Sequence, residues 1–277
     1  MATTTIPGWP LTDTGLARRL ERAEGAANAA CVEARARLDP ASGATWTAVS
    51  GVYAMFDGVA SPLTQTFGLG LFDPVGDAEF EHLERFCEER GSPVFHEVST
   101  LISQEILGHL NRRGYQPMEF STVLVRPTVV EPVPGSTVSA RLIEPGEGGL
   151  WARVAAEGWS SESPDLAVFI EDMGRVVTSA HNYFCFLAEL EGRPIAAAAL
   201  SISGDVALLA GASTIASDRR KGGQRALLEE RLRFAAAHGA QLAMMVAQPG
   251  SGSQRNAERQ GFRTAYTRVK WQRGASG

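Results

Sequence analysis

The chain has 277 residues, enough for one large domain or for two of about 130 residues each. Hydrophobic residues make up 44% and charged residues 21%, ordinary for a globular protein that buries a core of normal size. The formal net charge of −5 argues against a dedicated nucleic-acid binder, which shows a basic excess.

The opening MATTTIPGWP lacks a basic start followed by an apolar run, so no signal peptide is expected. Residues 12–38 are rich in Ala, Arg and Glu and stop at Asp39-Pro40, which predicts a helix. Residues 45–56, TWTAVSGVYAMF, are β-branched and aromatic and read as one strand, ended by Asp57-Gly58. QTFGLGLF at 65–72 reads as a second strand, with glycines that mark a bulge or a close approach. Phe80, Leu83, Phe86 and Cys87 have helical spacing over 78–90, and Gly91 is the stop. A strand at 93–98, a helix at 103–113 ended by Gly114, and a strand at 118–126 close the first half. The segment 127–137, with Pro127, Pro132 and Pro134, reads as a linker.

The second half starts with a strand at 138–143 and helices at 150–158 and 166–178. Strands at 184–190, 195–203 and 206–215 follow, the last two joined by the Gly204-Asp205 turn. A basic loop then leads into a helix at 225–238, ended by Gly239. A strand at 241–247, a short helix at 253–260 ended by Gly261, and a strand at 264–272 complete the chain. The longest apolar stretches are too short to span a membrane, so no membrane partner is expected. Cys31, Cys87 and Cys185 are scattered and odd in number, without zinc spacing or a disulfide framework. A reduced, cytoplasmic setting without a metal is the expectation.

The two halves share their order of elements. Phe86 and Gly91 recur 148 residues later as Phe234 and Gly239. Arg112, Gly114 and Tyr115 recur 147 residues later as Arg259, Gly261 and Phe262. The pattern reads as a divergent tandem duplication, with units at 1–126 and 138–277.

The segment TIASDRRKGGQRALL at 214–228 carries the chemistry. A strand runs into a basic, glycine-containing turn that opens a long helix. Backbone N–H groups at a helix start lack intrahelical partners and form an anion site suited to a pyrophosphate. Gly222 and Gly223 let phosphate oxygens approach without a Cβ in the way. Arg219, Arg220, Lys221 and Arg225 add charge that opposes the helix dipole until a bound anion balances it. The spacing fits neither the nucleoside-triphosphatase phosphate loop nor the dinucleotide fingerprint.

Arg219-x-x-Gly222-x-Gln224 resembles the acyl-CoA signature of the GNAT superfamily of N-acyltransferases, with Gln224 in place of its Gly or Ala. The segment 248–262, ending in Gly261-Phe262, is similar to the superfamily's second CoA-facing motif. The resemblance covers about residues 138–273. It implies an α/β chain of two tandem GNAT-like domains, each a mixed, mostly antiparallel sheet flanked by helices. It implies acetyl-CoA as cosubstrate, with backbone contacts at Thr214, Ile215 and Ala216 and further contacts at Ser253 and Asn256. The tyrosine that many members use as general acid falls here on Ala257, so Tyr266 is a weak substitute. For the acceptor side, Trp159 and Glu162 are candidates, Glu162 as base.

At the matching junction of the first half stands FDPVGDA at 72–78, with two aspartates where the second half is basic. Carboxylates there would repel CoA, so the first unit is expected to be a degenerate GNAT-like domain without a CoA site. Asp57, Ser61, Thr64 and Gln65 are polar candidates for an acceptor cleft, against plain turn chemistry. The expected activity is transfer of an acetyl group to a small-molecule amine by direct attack, by a monomer or homodimer. No cysteine is placed for a covalent route. A non-catalytic acyl-CoA sensor or scaffold is the alternative, and a nucleotide-dependent enzyme a third.

Overall fold

The computed structural model describes residues 9–129, 137–160 and 164–273. The first helix, α1 (Thr14–Leu38), starts where the Asp13 carboxylate accepts the Leu16 N–H at 2.7 Å. The expected single strand at 45–56 is a hairpin, β1 (Thr45–Val49) and β2 (Val52–Phe56). Its two-residue turn is Ser50-Gly51, both at positive φ (+49° and +78°), which matches the twist of a tight hairpin. The expected strand at 65–72 shrinks to β3 (Thr66–Phe67). Gly68 and Gly70 sit at φ +80° and +72°, and Phe72 and Ile106 fill the space their Cβ atoms would need. That glycine-bearing segment turns instead of extending.

The remaining elements follow the expected order: α2 (Asp77–Glu88), β4 (Phe95–Ser99), α3 (Gln104–Arg112), β5 (Tyr115–Pro127) and β6 (Val138–Leu142). Then come α4 (Gly148–Trp159), α5 (Pro164–Ser179), β7 (Tyr183–Leu190), β8 (Arg193–Ser203) and β9 (Val206–Thr214). The chain continues through α6 (Gly223–Ala237), β10 (Leu242–Ala247), α7 (Gly252–Arg259) and β11 (Arg263–Arg273). The mixed, mostly antiparallel architecture flanked by helices is as the sequence implied.

The compact units do not follow the expected division at 138. One unit holds residues up to Arg126 together with those from Met244 onward; the other holds Pro127–Ala243. The expected linker is mostly outside the described residues, at 130–136.

In the first unit the strand order is β1-β2-β3-β4-β11-β5-β10. The last strand of the chain is thus inserted between β4 and β5, antiparallel to both. Alternation along β2 sends Met55 to one face and Val52, Ala54 and Phe56 to the other. Met55 and Phe67 pack under Ala29 and Val32 of α1. Phe80, Leu83 and Leu110 of α2 and α3 cover the opposite face, each fully buried. Burial of each such side chain stabilises by about 1.5–3 kcal/mol. The insertion is secured by a buried hydrogen-bonded cluster around Arg268. Arg268 of β11 donates to Glu21 at 2.6 Å and to Glu24 at 2.5 Å, both on α1.

The second unit runs β9-β8-β7-β6, with each neighbouring pair antiparallel. Trp151, Ala152 and Ala155 of α4 pack on Cys185, Leu187, Ala197 and Ala199. The other face takes α6, whose Phe234 ring lies 4.7 Å from Phe184 and 5.4 Å from Phe186. The four-strand sheet is therefore covered on both sides, and β9 delivers the chain to the loop before α6.

Candidate functional site

The basic loop leaves β9 at Thr214, makes one turn of 3-10 helix at Ala216–Asp218, and enters α6 at Gly223. Gly222 is the N-cap, at φ +97°, with nothing within 4 Å of where a Cβ would stand. Only glycine adopts that conformation freely, and the space above the helix start is open. No side chain caps α6, and its first turn contains no acid. Its leading N–H groups and dipole therefore face outward without an internal carboxylate to satisfy them. Arg220, at φ +67°, is held in a conformation uncommon for residues other than glycine.

The loop's cations are partly committed. The Asp218 side chain is 1% exposed and accepts from Lys221 at 2.8 Å and from Arg193 at 2.7 and 3.0 Å. The hydrogen bonds from Arg193 and then Lys221 hold its carboxyl well below the usual carboxylate range. Asp218 thus stays ionised and ties the loop to the start of β8. Sequence reasoning missed both Asp218 and Arg193: the aspartate was visible inside the motif, but its partner lies 25 residues upstream. Arg219 donates to the Gly158 carbonyl at 3.2 Å, linking the loop to the end of α4. Arg225 pairs with Glu229 one turn along α6 at 2.8 Å.

Gln224, the departure from the family pattern, donates its side-chain amide to the Thr214 hydroxyl at 2.9 Å. Its bulk is directed to the end of β9, and its backbone N–H remains in the first turn of α6. Tight packing fixes that strand end. A Cβ on Gly158 would lie 2.5 Å from Ser213 Oγ and 3.0 Å from Thr214 N, so α4 approaches β9 only through glycine. Ser213 donates to the Ala155 carbonyl at 3.0 Å. Gly211 sits at φ +59° in a bulge, where β9 has one more residue than β8.

Thr214, Ile215, Ala216 and the loop residues 219–225 thus form one junction inside the second unit. Ser253 and Asn256 lie on α7, in the first unit, both exposed. The Asn256 side chain accepts from Arg259 at 3.0 Å. Ala257 is buried at 4% exposure and belongs to the packed side of α7. Trp159 is half-buried at the last position of α4, and Glu162 lies outside the described residues.

The first-unit candidates have structural partners. The Tyr266 hydroxyl is buried and donates to Glu21 at 2.9 Å; burial, then the neighbouring carboxylate, raises its pKa far above the ordinary range. It braces the α1–β11 pair. Asp57 accepts from Arg35 at 3.2 Å and from Ser61 at 2.7 Å, while Thr64 receives the Asp57 N–H at 3.0 Å. That is turn chemistry in a fully buried carboxylate. Gln65 is buried beside it in sequence, its Oε1 without a partner.

Among the described residues no group of three or more His, Cys, Asp or Glu is placed to hold a metal ion. No helix among them is long and apolar enough to cross a membrane.

Residues 150–262 match the family model described as the acetyltransferase (GNAT) family. The chain shares its fold with a GCN5-related N-acetyltransferase from Kribbella flavida, at 17% identity and TM-score 0.66, over 94% of this chain and 96% of the other. A tandem GNAT protein from the clavulanic acid biosynthesis pathway aligns at 13% identity and TM-score 0.56, over 82% and 79%. A putative GNAT-family acetyltransferase from Novosphingobium aromaticivorans aligns at 14% identity and TM-score 0.52, over 84% and 92%. No curated protein matches the chain.

Proposed function

We propose that this chain, which fits the GNAT superfamily in its tandem form, binds acetyl-CoA at the β9–α6 junction and transfers the acetyl group to a small-molecule amine. One observation carries the reading. The start of α6 combines an αL glycine, open space above it, no side-chain cap and no acid in the first turn. Such an N-terminus suits a pyrophosphate. Gly222, Gly223, Gln224 and Arg225 would supply backbone N–H groups, with Arg219 and Arg220 adding charge. Lys221 acts more through Asp218 than directly. Thr214, Ile215 and Ala216 would offer backbone groups to the pantetheine arm in the manner of an added strand.

Acetyl-CoA supplies an activated thioester. The amine nitrogen attacks its carbonyl carbon, the C–S bond breaks, and the amine's proton is lost to a base as the thiolate leaves. Tyr266 is committed to Glu21, so the leaving thiolate takes its proton from another group or from water. A cytoplasmic setting and a monomer or homodimer belong to the same proposal. The buried Ala257 favours a second reading, a non-catalytic acyl-CoA sensor, because the position of the family's usual tyrosine is here part of a packed surface.

Calorimetric titration with acetyl-CoA, followed by thiol release across a panel of small amines, separates these readings. Binding with turnover supports the transferase. Binding without turnover on any amine favours the sensor. No binding, or binding that survives the double change Arg219→Ala and Gly222→Asp, removes the junction as the site.

A further inference from the structure

The bulge in β9 has a consequence for which side chains reach the site. Before the bulge, Leu209 pairs with Leu200 and Ala210 with Ala199; after it, Ser213 pairs with Ala197 and Thr214 with Ala196. One extra residue on β9 therefore shifts the register by one position. A one-residue shift exchanges the two faces of a strand. Because of it, Ser213 faces α4, where it meets Ala155, and Thr214 faces α6, where it meets Gln224. A bulge-free β9 would turn both side chains to the wrong faces.

A bulge interrupts the ladder, and the carbonyl groups around it need other donors. Two buried side chains supply them from opposite faces. From α4, Trp151 Nε1 donates to the Ala198 carbonyl at 3.2 Å and to Phe186 at 3.1 Å. From α6, Arg231 donates to the Ala199 carbonyl at 2.9 Å, with a longer contact of 3.5 Å to Ala210. Ala199 and Ala210 are the last pair before the register shift. Arg231 is 4% exposed and donates to backbone carbonyls, including Leu227 of its own helix at 3.2 Å. Burial lowers its pKa to about 10, which leaves it charged at neutral pH. A buried guanidinium is costly to desolvate, and a leucine or methionine would satisfy a purely apolar helix face.

We propose that Arg231 is a positioning residue for acyl-CoA: it pins the Gly211 bulge and so sets the register that presents the end of β9 to the ligand. The inference rests on the junction being the acyl-CoA site. Arg231 touches no reacting atom in this account; it acts through β9.

The test is calorimetric titration of acetyl-CoA into wild type, Arg231→Met, Arg231→Lys and Gly211→Ala, with melting curves for each. Val138→Ala, in the edge strand β6, serves as a control for lost stability alone. The expected result is a Kd raised at least tenfold in Arg231→Met, partly restored in Arg231→Lys, and unchanged in Val138→Ala at comparable melting temperature. In turnover, KM for acetyl-CoA rises with it while KM for the amine does not. Unchanged acetyl-CoA affinity in folded Arg231→Met overturns the proposal and leaves the site intact. Where the Arg231 variants do not fold, Gly211→Ala decides: a Cβ there has room, at 3.9 Å from Trp151, so the change acts on the positive φ. Full affinity in Gly211→Ala overturns the proposal. No binding by wild type overturns the junction as the site, and this inference with it.

Discussion

The chain contains two strand-to-helix junctions of the same kind, and they handle charge in opposite ways. In the first unit, α2 opens on Gly76, whose N–H donates to the Glu79 carboxylate at 2.8 Å. Asp77 adds a second acid in that first turn and pairs with Arg113 at 2.9 Å and His109 at 3.2 Å. The hydrogen bond from Arg113 leads in lowering the Asp77 pKa. The N-cap N–H is thus satisfied by Glu79, and Asp77 places a second negative charge against the positive end of the helix dipole. In the second unit, α6 opens on Gly222 with no acid and no cap. Its first turn has no carboxylate of its own to satisfy the leading N–H groups. The strand-to-helix junction is closed in one unit and open in the other, and the difference lies in two acids against a cluster of bases.

The strongest way to break this comparison is to close the open junction. Gly222→Asp places a carboxylate at the helix start, in a conformation aspartate tolerates better than most residues. One unit charge about 4 Å from a phosphate charge, at an effective dielectric of about 20, costs about 4 kcal/mol. Acetyl-CoA affinity should fall on the order of a thousandfold by titration calorimetry, well beyond the roughly 1–2 kcal/mol of folding stability lost to a side chain at φ +97°. Retained affinity would show that the open helix start is not where the ligand's phosphates lie.

The second test concerns the first unit's habit of satisfying charge internally. Glu21 is fully buried, its Oε2 has no partner, and its carboxyl is raised from 4.5 to about 7, chiefly by burial. The folded protein therefore keeps a proton there that the unfolded chain releases between pH 4.5 and about 7. Its contribution to stability is complete below pH 4.5, declines as pH rises, and is gone above about 7. The full shift corresponds to on the order of 3 kcal/mol. Buried His96, lowered to about 3, pulls the other way and is common to wild type and variant. The measurement is therefore a difference: denaturant unfolding of Glu21→Gln against wild type at pH 5 and pH 8. The variant should gain on wild type toward pH 8. A difference that does not change with pH contradicts the assignment.

A smaller effect sharpens the contrast from the closed side. Glu79→Ala removes the carboxylate that satisfies Gly76, at a cost of about 1 kcal/mol in unfolding free energy, as for other lost helix caps. Acetyl-CoA affinity should stay at the wild-type value. A parallel loss of affinity would mean that the first junction contributes to the ligand site after all.

How much of this was legible in the sequence depends on the range of the interaction. Local signals served well: the Asp39-Pro40 stop, the glycine stops and the Gly204-Asp205 turn all carry their reason within a few residues. Ser50-Gly51 was equally local, but its strand-like neighbours hid a two-residue hairpin inside one apolar run. The basic loop was legible because glycines and charges sit together. Its committed partners were not, since Arg193 meets Asp218 only once β8 and β9 are side by side. The insertion of β11 between β4 and β5 was also invisible: a strand's periodicity says which face is buried and nothing about which neighbour it takes. Arg268 was the one available sign, a charged residue at a position that proves to be 1% exposed.

The smallest predicted effect concerns Arg225, in the first turn of α6. Arg225 pairs with Glu229 at 2.8 Å across one helical turn, with half of its side chain exposed. Such a pair stabilises a helix by only about 0.3–0.5 kcal/mol, so Arg225→Ala should leave the melting temperature within about a degree or two. Glu229 offsets the positive charge of Arg225, so the field it adds at the helix start is weak. Loss of Arg225 should therefore raise the acetyl-CoA Kd about threefold, less than 1 kcal/mol. An exposed charge acting at a distance is screened as ionic strength rises, because the Debye length shrinks from about 10 Å at 0.1 M salt to about 3 Å at 1 M. Titrations at those two salt concentrations thus separate two roles for the open junction. A difference that vanishes in high salt makes Arg225 part of a diffuse field, with backbone N–H groups holding the phosphates. A difference that persists makes it a direct ligand of the pyrophosphate, freed from Glu229 on binding.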